Sequence, residues 1–99
     1  MKNKIFNLYV NYICEYCGIT REQLFSKTNR RIYSIPRFIL YYVCSKRPMG
    51  STEIASLAEL NGLIVHRQNI DYGINRIEKN TDKEVWEIIN SCIITFKNQ

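Results

Sequence analysis

Apolar positions along the chain recur at helical spacing, broken by short polar segments. Phe6, Val10, Ile13, Cys14 and Cys17 share one face of a helix over residues 4–17, and Gly18 suits its C-terminal stop. Thr20 and Gln23 in "TREQ" form a capping-box pattern that opens a short helix over 21–26, with Leu24 and Phe25 inward. "SKTNRR" then reads as a polar, basic loop. Pro36 suits the first turn of a third helix, capped by Ser34 and running to Lys46, with Ile39, Leu40, Val43 and Cys44 apolar. Ser51 or Thr52 caps a helix over 52–60, which "NG" at 61–62 ends. Ile70, Ile74 and Ile77 define a helix over 66–79. Thr81 and Glu84 form a second capping-box pattern before a helix over 82–95, with Trp86, Ile89, Cys92 and Ile93 on its buried stripe. The pattern predicts an all-α fold of about six helices.

Composition agrees with that class. The 99 residues are 45% apolar, with only 4 glycines and 2 prolines, which disfavours a turn-rich β-fold. The length suits one domain over 1–99. "FILYYVC" and "IITF" are too short to cross a bilayer, so no membrane partner is expected. Asn7, Asn11 and Glu15 interrupt the apolar N-terminal stretch, so it reads as a mature helix of a cytoplasmic protein rather than a signal peptide.

"CEYC" at 14–17 has the spacing of a zinc or thiol-exchange motif, and equally of one helix face. No second C-x-x-C or H-x-x-x-H exists, and all four cysteines fall on apolar stripes, so packing is the expectation, with no metal and no cofactor. One histidine without a nucleophile motif, and acidic pairs such as Glu84 and Glu87 beside Lys83, argue against an enzyme and against a small-molecule substrate.

Charge adds a direction. The net charge is +5 and the pI about 9.1. Between Glu22 and Glu53 there is no acidic residue, while Lys27, Arg30, Arg31, Arg37, Lys46 and Arg47 fall in that interval. A one-signed stretch of this kind marks a basic face that suits an acidic partner. The helices at 52–60 and 66–79, joined by a short glycine-containing segment, form a helix-turn-helix pattern. The second helix opens with His66, Arg67, Gln68 and Asn69, side chains suited to base edges: Arg to guanine, Asn or Gln to adenine.

Residues 12–43, "YICEYCGITREQLFSKTNRRIYSIPRFILYYV", resemble the start of the C-terminal DNA-binding domain of the bacterial replication initiator DnaA. That family shows V-A-x-Y-F-x-I, then D-L-L-S-K, an R-x-R type basic loop and P-R-Q-I-A-M-Y-L. Here "ICEYCGI", "LFSK", "NRR" and "PRFILYYV" lie over them without a gap. Lys27, Arg31, Pro36 and Arg37 each match a family position, while Cys14 and Cys17 fall on core positions. Further along, "STEIAS" is similar to the family's S-L-P-E-I-G and "NRIE" to its R-K-I. Arg67, Gln68 and Asn69 fall where the family has H-T-T, and extra residues lie in the turn, so the family's hallmark motif and origin-box sequence do not carry over. No Walker A motif is present.

The resemblance implies a Trp-repressor-like helix-turn-helix fold without the ATPase domain, of a kind at home in phage or mobile-element genes. It also implies a recognition helix in the major groove of double-stranded DNA and a basic loop at the neighbouring minor groove, in the service of replication or transcription. Lys27, Asn29, Arg30 and Arg31 are then expected at the minor groove or phosphates, and Arg37, Lys46 and Arg47 at flanking phosphates. The helix N-terminus at Ser51 is expected to accept another phosphate. Base reading falls to His66, Arg67, Gln68 and Asn69. The alternative is a protein–protein or phage assembly module that kept the fold and lost DNA, for which the seven tyrosines offer interface material.

Overall fold

In the computed structural model, which describes residues 2–99, the chain is all-α: six helices and, among those residues, no strand. They are α1 (Lys2–Cys17), α2 (Arg21–Leu24), α3 (Arg31–Ser45), α4 (Ser51–Leu60), α5 (Arg67–Glu78) and α6 (Lys83–Thr95). This order is compatible with a helix-turn-helix formed by α4 and α5.

Helix α3 is the axle, packing against all five other helices. Its Ile39, Leu40, Val43 and Cys44 are fully buried against Phe6, Val10 and Ile13 of α1, Ile54 and Ala58 of α4, Ile70 and Ile77 of α5, and Ile89 and Cys92 of α6. The stripes expected from periodicity are therefore the ones that meet. On α6 the buried stripe is rotated slightly from expectation: Val85 and Ile88 are buried, while Trp86 and Ile93 are half-buried. The Trp86 indole N–H instead donates 2.7 Å to the carbonyl of Asn80, a polar tip that keeps the ring at the edge.

The chain punctuation follows local chemistry at several ends. Gly18 adopts φ +67°, and the Ile19 amide reaches back 3.0 Å to the Cys14 carbonyl, a left-handed helix stop that a side chain would strain. The Thr20–Gln23 capping box forms with both bonds, 3.1 Å and 2.9 Å.

Other ends differ from expectation. Helix α3 starts at Arg31, within a turn of the basic loop, not at Pro36. Arg30 has extended geometry, and its carbonyl takes the amides of Tyr33 and Ser34. Pro36 therefore lies in the second turn, where its ring removes one backbone bond, and Ser34 is a buried helix residue rather than a cap. Helix α4 is entered at Gly50, whose amide donates 3.2 Å to Glu53. The cap of α6 is Asp82, one residue after Thr81, because its carboxylate accepts the Glu84 amide at 2.9 Å.

Candidate nucleic-acid interface

The loop between α2 and α3 is held from beneath by Arg37. Its Nε donates 2.7 Å to the Leu24 carbonyl, and both terminal nitrogens donate 3.3 Å to the Thr28 carbonyl. Only 6% of the residue is exposed. A planar, forked cation can bridge two segments in this way where lysine cannot. Arg37 thus fixes the loop's backbone and leaves its side chains to solvent. It is not available as the phosphate contact expected from charge alone.

Helix α5 is seated by Gly73. A Cβ built there would lie 2.6 Å from Cδ1 of Phe38 and 3.0 Å from Cδ2 of Tyr41. The missing side chain is what lets α5 lie directly on α3. Ile70 and Ile77, three before and four after, complete the buried stripe. The α4–α5 turn, residues 61–66, bends at Gly62 with φ +95°. Its Asn61 is clamped by Arg21, whose terminal nitrogens also reach Asn7 and Asn11 of α1.

These supports bring the loop and α5 to one cleft of about 410 Å³. Lys27 and Asn29 line it from the loop, Asn69 and Tyr72 from α5, and Phe38 and Tyr41 form part of its base. Of the residues expected at DNA, Lys27, Asn29, Arg30, Arg31, His66, Arg67, Gln68 and Asn69 are all exposed. Lys27, Asn29 and Asn69 share the cleft, although forty residues separate Asn29 from Asn69 in sequence. His66 and Arg67 border a second hollow with Thr52, Ser56 and Glu59 of α4.

Three further positions are not brought to this face as free cations or donors. The Ser51 hydroxyl donates to Asp71 of α5, and Glu53 already takes the entering amide of α4. Two carboxylates thus stand where a phosphate was expected. Arg47 donates 2.7 Å to the Gln99 carbonyl and 3.4 Å to that of Phe96, closing the end of α6. Lys46 lies 4.9 Å over the Tyr42 ring, which meets Trp86 edge-on. Both residues follow the C-terminus of the 15-residue α3, roughly 22 Å along its axis from Arg31.

Two cations escaped the sequence reading. Arg76 and Lys79 border an open hollow with Arg31, at the meeting of the α3 N-terminus and the α5–α6 loop. Arg76 donates 3.1 Å to the Tyr72 hydroxyl and sits 5.8 Å from its ring centre, so its fork is held in place. Gln68, Tyr72, Arg76 and Lys79 form an i, i+4, i+8, i+11 row along α5, a polar stripe that periodicity contained.

Cys14 and Cys17 pack along α1 against the core, and Cys44 and Cys92 are buried. Burial pushes the Cys17 thiol up to about 11 and also raises Cys14, so neither is a thiolate near neutrality. Among the described residues no three His, Cys, Asp or Glu side chains gather in metal-binding array, and no helix is long and apolar enough to cross a membrane.

No family model matches this chain, and no similar curated protein or solved structure was found.

Proposed function

We propose that the protein is a double-stranded DNA-binding module, a diverged, DnaA-like helix-turn-helix serving replication or transcription. In this reading α5 enters the major groove and the 25–30 loop reaches the adjacent minor groove. The observation that carries it is the shared cleft: Lys27 and Asn29 of the loop line it together with Asn69 of the exposed first turn of α5, and Arg30 and Arg31 are exposed where the loop enters α3. A recognition helix flanked by cations is the arrangement that lets base edges specify while phosphates position. His66, Arg67, Gln68 and Asn69 read bases. Lys27, Arg30, Arg31, Arg76 and Lys79 meet phosphates or the minor groove. The test is a binding titration over salt with random and selected duplexes. Roughly five such contacts give log K against log salt a slope of about −4 to −5. A flat response rules the reading out.

The second reading is a protein–protein module. It is favoured by a groove between α1, α3 and α6 in which Tyr16, Ile32, Ile35 and Ile88 lie among Arg31, Asp82 and Glu84, with Tyr16 46% and Ile32 56% exposed. A pull-down that Ile32→Glu abolishes, together with no duplex binding at low salt, decides for it.

A further inference from the structure

The cleft between the basic loop and α5 holds more than a duplex contact needs. The Tyr41 side chain is 1% exposed, yet its hydroxyl has no hydrogen-bond partner among the described residues. Such a buried donor–acceptor is costly to leave unmade and points to a ligand that completes it. Beside it, the Arg37 guanidinium bonds only to carbonyl oxygens and meets no carboxylate among the described residues. Its charge therefore stays uncompensated in a site that desolvation already makes unfavourable for a cation. Phe38 and Tyr72 stand edge-to-face at 6.0 Å, and Tyr72 is 53% exposed, which leaves ring surface open. Asn29 and Asn69 bring exposed amides to the rim, and Lys27 a free cation. The volume, about 410 Å³, lies in the range of small-molecule sites.

Open aromatic surface, an unpaired hydroxyl, two carboxamides and a net positive field are together complementary to one chemistry, a planar nitrogenous base carrying a phosphate. We propose that this cleft is a nucleotide site, in which the base lies against Phe38 and Tyr72 and bonds the Tyr41 hydroxyl and Asn69, while the phosphate faces Lys27 at the rim, the buried Arg37 adding to the positive field without touching it. The base arrives either on an unpaired DNA strand or as a free mononucleotide. The site goes beyond the duplex reading and does not depend on it.

Calorimetric titration of the full chain with dAMP, dTMP, a ten-residue single-stranded oligonucleotide and inorganic phosphate tests the site. A mononucleotide or the oligonucleotide is expected to bind saturably and at least roughly tenfold more tightly than phosphate. Tyr41→Phe removes only the hydroxyl. It is expected to weaken that binding roughly fivefold to tenfold while thermal stability holds or rises, because an unsatisfied group has been deleted. Asn69→Ala, at an exposed position that cannot disturb the core, weakens it in the same direction. Binding by the mononucleotide assigns the free source, and binding by the oligonucleotide alone assigns the strand. Phosphate binding as tightly as nucleotide, no saturable binding, or binding that neither variant changes overturns the site. A duplex affinity that persists in that case leaves the duplex reading standing.

Discussion

The Arg37 Nε lies 2.7 Å from the Leu24 carbonyl, and that bond ties the end of α2 to the second turn of α3. With the two donations to Thr28 it makes a buried cation the floor of a loop whose other basic side chains face water. One charge in the one-signed stretch is structural, and its burial is what displays its neighbours.

Arg37→Met keeps the apolar stem and removes every donor. The Leu24 carbonyl then loses its partner away from solvent, and the Thr28 carbonyl loses its partner in a half-buried setting. Hydrogen bonds from charged groups contribute about 1.5–3 kcal/mol, so unfolding free energy in urea is expected to fall by about 2–3 kcal/mol. Arg37→Lys restores the charge but not the fork and recovers only part of the loss. Full stability in the methionine variant contradicts the anchoring role.

Gly73→Ala sets two effects against each other. Alanine is the better helix former by about 0.8–1 kcal/mol. Its Cβ, however, would come to 2.6 Å from Phe38 and 3.0 Å from Tyr41, inside contact distance of two packed rings. Overpacking of this kind costs about 1–3 kcal/mol, so a net loss is expected in denaturant melts. Phe38→Leu in the same chain relieves the closer contact and returns part of the stability. An alanine variant more stable than the parent shows that α5 can slide away from α3 freely.

Helix number and core stripes were legible because each apolar row is long enough to show its period. Pro36 misled because proline marks helix onset without marking its first residue, and the true start at Arg30 carries no side-chain cap. The candidate site was legible as a set of exposed polar positions but not in membership. Lys27, Asn29 and Asn69 are polar and do reach the surface together. Charge alone could not separate Arg37, turned inward by carbonyls thirteen and nine residues back, from Arg31, six residues earlier and exposed. Ser51 likewise is not free, because Asp71 lies beside it, a contact across twenty residues that no local pattern holds.

The buried acids that lose protons only at high pH set an upper edge to stability. Desolvation raises Cys17 to about 11, Cys92 to about 12 and Tyr41 to about 12, and also raises Cys44 and Tyr9. Each folded pKa lies above the unfolded value, so the folded chain holds more protons between them. The stability these groups contribute is therefore complete below about pH 8.5 and declines as pH rises towards 11–12. Urea midpoints, read under reducing conditions, are expected to agree at pH 7 and 8 and to drop at pH 9.5 and 10. Cys17→Ala, where the thiol is only half-buried, should shallow that decline. A midpoint independent of pH up to 10 contradicts it.

If the proposed duplex interface holds, Arg76 and Lys79 belong to it, and Lys46 does not. Arg76→Ala and Lys79→Ala are each expected to lower the salt slope by about one and to weaken random and selected duplexes alike. Lys46→Ala, set over Tyr42 at the far end of α3, is expected to leave slope and affinity unchanged. Asn69→Ala acts differently, lowering discrimination at one base position by about 1–3 kcal/mol with little change in slope. The four variants, read in one set of fluorescence-anisotropy titrations across salt, distinguish an interface built on the loop and α5 from one spread over all basic residues. A slope that falls for Lys46→Ala and not for Arg76→Ala would reverse the docking face.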